Sequence, residues 1–183
     1  MSYDYAAWAG HNKDGSWTRQ LEQAVQQSEL PRLKPADIGK FCPGYVRLTN
    51  RERSQFWVGL FSAMAKPESN FQPLTRYQEK FHDGKGKPVI SRGLLQISQE
   101  SANQPRYSCN IRQAEQLHDP ATNLKCAVRI MQKWVKTDGH ISQPDWSREA
   151  KGGARYWSVL RPARGQLAQI RHFTSQLPGC NLS

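Results

Sequence analysis

The segment Phe61-Ser62-Ala63-Met64-Ala65-Lys66-Pro67-Glu68-Ser69-Asn70-Phe71 ends an apolar stretch on a single carboxylate, Glu68. A carboxyl held against apolar groups, here Met64 and Phe71, loses hydration of its charged form, so its pKa rises. A carboxylic acid still protonated near neutral pH can give a proton to a leaving oxygen, which is the step glycosidic cleavage needs. An inverting hydrolase also needs a base to activate water. Asp83, beside Gly84, is the first candidate and Glu79 the second; both lie on the polar stretch that follows. Five scattered histidines form no His-Glu-x-x-His or comparable spacing, and there is no Gly-x-Ser-x-Gly elbow and no phosphate-binding glycine loop. No metal and no cofactor is expected.

These residues must be positioned by a scaffold. The chain has 183 residues, 37% of them hydrophobic, with six each of Trp, Tyr and Phe, enough for one packed domain. No segment reaches the roughly 20 apolar residues a membrane-spanning helix needs, and Met1-Ser2-Tyr3-Asp4-Tyr5 carries no Sec-type leader pattern. Residues 1–16 read as a loose polar start. Trp17, Leu21 and Val25 predict an amphipathic helix over Trp17–Leu30, ended by Pro31 and Pro35. Thr49-Asn50 with Glu52 predicts a capped start for a core helix carrying Phe56, Leu60, Phe61 and Met64, with a stop near Pro67. Residues 72–92 read as a long polar loop or a small hairpin. Asp119-Pro120 begins a helix with Leu124, Ala127, Val128, Met131 and Trp134 at helical spacing, closed by Gly139, and a last helix spans Gln166–Thr174. The expected fold is mainly α (α+β), with residues 1–40 as an N-terminal extension bearing one helix and residues 41–183 as the catalytic domain.

Three ordered elements resemble the lysozyme-like superfamily of goose-type lysozymes and soluble lytic transglycosylases. They are Glu68-Ser69-Asn70-Phe71, then Ser91-Arg92-Gly93-Leu94-Leu95-Gln96-Ile97, then Leu117-His118-Asp119-Pro120-Ala121-Thr122-Asn123-Leu124. Gly153-Ala154-Arg155-Tyr156-Trp157-Ser158 stands where the family carries a further Tyr-bearing element. The resemblance implies a lysozyme-like helical domain whose hairpin or loop flanks a cleft. It implies that Glu68 is the general acid and that Ser69, Ser91, Gln96 and Tyr156 meet the substrate. That substrate is the β-1,4-linked amino-sugar backbone of peptidoglycan. Asp119 and Asn123 are expected to anchor a helix. A muramidase, a lytic transglycosylase or a glucosaminidase would all fit the motif set.

Charge and cysteines bear on where such an enzyme works. Lys plus Arg is 26 against 15 Asp plus Glu, a net charge of +11, which favours a polyanionic partner such as an anionic wall polymer. Cys42, Cys109, Cys126 and Cys180 contain no Cys-x-x-Cys pair, and two disulfides are plausible among three connectivities. Cys109 and Cys126 are near enough to bridge locally; Cys42 and Cys180 would then tie the start of the core to the C-terminus. Disulfides without a leader pattern resemble the type VI secretion glycoside hydrolase effectors. Such an effector would be made in the cytoplasm, act in the periplasm of a target bacterium, and be blocked by a cognate immunity protein. Two other readings stand beside this one. Phe41-Cys42-Pro43-Gly44-Tyr45-Val46 resembles the nucleophile element of cell-wall cysteine peptidases, with His82, His118 or His140 as base. The basic charge would also suit a nucleic-acid-binding module, although no named signature for one is present and no specific nucleic acid is expected.

Overall fold

A computed structural model describes residues 5–181. The first four residues of the expected extension, and with them most of the leader reading, lie outside the described residues, as do the last two of the expected catalytic domain. Six α-helices are described: α1 (Ser16–Gln27), α2 (Ile38–Phe41), α3 (Asn50–Ser69), α4 (Gln99–Ala102), α5 (Pro120–Asp138) and α6 (Gln166–Ser175). One antiparallel sheet joins β1 (Arg76–His82), β2 (Pro88–Arg92) and β3 (Ile97–Ser98) in that order. The architecture is a lysozyme-like helical domain with a small sheet, as the resemblance implied.

Helix α3 is the axis. Its start is fixed by a reciprocal cap: Thr49 Oγ1 accepts from Glu52 N at 3.2 Å and Thr49 N donates to Glu52 Oε2 at 2.7 Å. Every residue from Phe56 to Ala65 is buried, so this helix has no solvent face through its middle. The expected stop at Pro67 comes two residues too early. Pro67 sits inside the final turn, where it removes the N–H that would bond Ala63 O, and α3 nevertheless runs to Ser69. The helix ends at Asn70, which adopts a left-handed conformation (φ 51°) and donates its N–H to Lys66 O at 2.8 Å.

The other helices pack around α3. Helix α5 begins at Asp119, whose Oδ2 accepts from Thr122 N at 3.0 Å, with Pro120 at its first position. It ends at Gly139 in the left-handed region. Helix α1 lies on α5 and α3, and α6 lies on α3 and α2. The expected loose start is pinned instead. Trp8 is fully buried and donates Nε1–H to Thr18 Oγ1 at 2.9 Å, and Ala7 N donates to Ser62 Oγ at 2.8 Å. Trp8, Leu21, Val25 and Leu30 share one buried cluster with Phe61, Leu94 and Leu160, so residues 5–40 and the rest of the described chain pack on a common core.

Two disulfides close the structure, Cys42–Cys180 and Cys109–Cys126. The first draws residues 42–45 onto residues 179–180 so closely that a Cβ on Gly44 would stand 2.2 Å from Gly179 O.

Candidate active site

A cleft of about 420 Å³ lies between the C-terminal end of α3, the β1–β2 hairpin and the segment 155–161. Glu68 lines it from the end of α3, and Glu79 lines it from the middle of β1. Both are partly exposed. Phe81 and Val89 of the hairpin, with Tyr156 and Trp157 of the opposite segment, form its apolar walls. Arg155 and Arg161 supply the cations.

The hairpin register explains why Glu79 enters the cleft. Tyr77 pairs with Ser91 and Gln78 with Ile90, and the register shifts between Gln78 and His82. Alternate residues of a strand share a face, and Glu79, Phe81, Val89 and Ser91 all reach the cleft. Ser91 Oγ donates to Glu79 Oε1 at 2.7 Å, which orients that carboxylate.

Asp83, the first candidate for the base, is not brought to this cleft. It occupies the hairpin turn, where Oδ1 accepts from Lys85 N at 2.8 Å and Lys87 N at 2.9 Å. The Lys87 N–H first, and then that of Lys85, hold its pKa below the usual carboxylate range. It is a turn-forming aspartate of the kind that tight loops favour. Ser69 is likewise turned away: it is buried and donates Oγ–H to Ala65 O at 3.1 Å, one helical turn back. Phe71, expected beside Glu68, lines a separate apolar groove and meets the His11 ring at 4.8 Å. The apolar neighbours of the cleft come from Phe81, Tyr156 and Trp157 instead, which no local spacing around Glu68 indicates.

Gln96 and Tyr156 do line the cleft. Gln96 is left-handed (φ 50°), and its Nε2 donates to Thr75 O at 3.1 Å and Gly93 O at 2.9 Å. Its amide nitrogen therefore braces its own turn. Tyr156 OH accepts from Ser98 N at 3.4 Å, and burial pushes its pKa up to about 12, so it stays a neutral hydroxyl. Trp157 is buried and donates Nε1–H to Leu95 O at 2.9 Å.

The turn under the cleft is clamped from α5 by Asn123, which is fully buried. Its Oδ1 accepts from Leu95 N at 3.0 Å, while Nδ2 donates to Arg92 O at 2.9 Å and Leu117 O at 3.0 Å. Gly93, at φ 80°, passes so close that a Cβ there would meet Leu117 O at 2.2 Å and Asn123 Nδ2 at 2.4 Å. His118 extends the same brace: Nδ1 lies 2.9 Å from Pro73 O, so that nitrogen carries the proton and Nε2 accepts from Arg92 at 3.3 Å.

The cysteine-peptidase reading does not survive the fold. Cys42 is fully buried and bonded to Cys180, leaving no thiolate to act as nucleophile.

A lysozyme-type helical core, a carboxylate at the end of its central helix and a flanking hairpin define a class of glycan-cleaving enzymes. The family model of the transglycosylase SLT domain matches residues 48–149. The chain belongs to that family and is a peptidoglycan-cleaving enzyme of the lytic transglycosylase and lysozyme type. Among solved structures, it is similar to the wild-type form 2 of Bd0314 DslA, with 40% identity, 96% of this chain and 97% of that chain covered, and a TM-score of 0.88. Two glutamate-to-glutamine variants of the same protein align equally well, each at 39% identity over the same shares, with TM-scores of 0.87 and 0.88. No curated protein sequence matches. Among the described residues no helix is long and apolar enough to cross a membrane.

Proposed function

We propose that the protein hydrolyses β-1,4 bonds of the peptidoglycan glycan strand, with Glu68 as general acid and Glu79 as the partner that activates water. The observation that carries this reading is the convergence of Glu68 and Glu79, from two different elements, on one cleft. Protonated Glu68 gives its proton to the glycosidic oxygen as the bond to the anomeric carbon breaks. Glu79, oriented by Ser91, takes a proton from the water that attacks that carbon. An enzyme forming an anhydro product through the sugar's own 6-hydroxyl would need no second carboxylate. The pair therefore favours hydrolysis. The two DslA variants add support: glutamine replaces glutamate at two positions eleven residues apart, the same separation as Glu68 and Glu79. Gln96, through its amide oxygen, and the Tyr156 hydroxyl are the cleft groups suited to sugar hydroxyl or N-acetyl contacts. The exposed Phe81 offers an apolar face to a pyranose ring.

The test is digestion of purified sacculi followed by mass spectrometry of the reduced products. Wild type should release reducing ends, and Glu68→Gln and Glu79→Gln should each lower the rate by at least about a hundredfold with unchanged melting temperature. Near-normal activity of Glu68→Gln would overturn its role. Anhydro products from an active Glu79→Gln variant would overturn hydrolysis in favour of transglycosylation.

The reading extends to setting. Two disulfides and a net charge of +11 support action on an anionic wall in an oxidising compartment. We place the protein in the periplasm of a target bacterium as a secreted antibacterial effector, held in check in its producer by an immunity protein that occludes the cleft. Residues 1–40 serve as an extension integral to the catalytic domain. Expression directed to the periplasm should lyse cells, and cytoplasmic expression should not.

A further inference from the structure

A second cavity, of about 530 Å³, opens beside the cleft, and Ser101, Arg155 and Tyr156 line both. Its other walls differ in chemistry from a sugar site. Arg106 and Glu149 line it together with Tyr107 and Trp134. The Arg106 guanidinium lies over the rings of Trp134, at 5.2 Å, and Tyr107, at 5.5 Å, and its Nε donates to Gln104 Oε1 at 2.6 Å. That arrangement holds the plane of the fork and commits only Nε, so the terminal nitrogens suit a carboxylate. Arg155 stacks on the same Trp134 at 4.7 Å but is already paired with Asp138, through Nε at 2.6 Å and a second nitrogen at 2.9 Å.

The loop that carries Arg106 is built to stay in place. Cys109–Cys126 ties it to α5, Asn103 exchanges two hydrogen bonds with Ile111, at 2.7 and 2.8 Å, and Trp134 donates Nε1–H to Tyr107 OH at 2.7 Å. A neutral sugar chain calls for none of this charge. Muramic acids of the substrate, however, can carry a peptide that leaves the strand sideways and bears carboxylates and, in many walls, a free amino group.

Resting on the glycan-cleaving reading above, we propose that this cavity is a subsite for the peptide stem, with Arg106 pairing a stem carboxylate and Glu149 facing a stem ammonium. It makes the enzyme selective for strands that still carry their peptides.

The test compares two substrates with the full-length oxidised protein: soluble glycan strands bearing stems, and the same strands stripped by an amidase. Wild type should cleave stem-bearing strands with kcat/KM about tenfold higher. Arg106→Gln should lose about tenfold on stem-bearing strands and stay within about twofold on stripped ones. Arg106→Lys, which keeps the charge without the fork, should fall between. Glu149→Gln should lose activity on stems with a free amino group but not on N-acetylated ones. Equal wild-type rates on the two substrates, or a parallel loss on both in a folded Arg106→Gln, would overturn the proposal while leaving the glycan-cleaving reading intact. Failure of wild type on both substrates would overturn the two together.

Discussion

Replacing Asn123 by Ala removes the clamp between α5 and the turn under the cleft. The variant leaves the Leu95 N–H and the Arg92 and Leu117 carbonyls without their partner, all at a fully buried position. A hydrogen bond contributes about 1 kcal/mol net, and a buried donor left unmet adds about 1–3 kcal/mol more. Three bonds and one stranded N–H amount to about 4–6 kcal/mol. For a chain of this size each kcal/mol lowers the melting temperature by about 2–4 °C, so a fall of at least about 10 °C is expected. The same turn holds Gly93 and Gln96 in left-handed conformations, so kcat/KM on sacculi should drop at least about tenfold at a temperature where the variant is still folded. Calorimetry and a turbidity assay on the same preparation measure both. A melting shift below about 3 °C would refute the count of buried bonds. A large shift with unchanged activity would refute the link between the clamp and the cleft.

Two further perturbations follow from the ion pair and the long disulfide. Asp138 accepts from Arg155 and from Gly152 N and has its pKa lowered, chiefly by the Arg155 hydrogen bond. A lowered folded-state value contributes stability that is complete above the unfolded pKa near 3.8 and is lost as pH falls through the folded value. Asp138→Asn should therefore melt below wild type at pH 7, and the gap should close below pH 4 in urea titrations across pH; a gap that persists at the acid end would count against the ion pair. Replacing Cys42 and Cys180 by Ser opens a loop of 138 residues, worth about 5 kcal/mol by loop-closure entropy. The pair variant should melt about 10–15 °C lower, and a shift under about 4 °C would show that the termini of the core are held without the bridge.

Local chemistry was the readable part of this fold. Thr49 with Glu52, and Asp119 with Pro120, announce their helices because a cap needs only residues within one turn. Glu68 could be singled out because its neighbours and two downstream elements stand in order along the chain. The choice between Asp83 and Glu79 could not be made the same way. It depends on a register shift in the hairpin and on which residue closes the turn, and both are settled by pairing across strands. Asn123 looked like a helix residue because three of its partners sit on the 92–95 turn and at Leu117, reached only in three dimensions. The proposed stem subsite was invisible for the same reason: Arg106, Trp134 and the pair Glu149 and Arg155 come from three separate stretches of the chain.

The two glutamates stand on supports of unequal stiffness. Glu68 ends a helix sunk through the core, whereas β1, which bears Glu79, is exposed along nearly its whole length and is held chiefly by its ladder with β2. One jaw of the mouth is bedrock and the other a rib. A load on the hairpin would strain the rib first, and Glu68 would keep its place at the end of the buried helix.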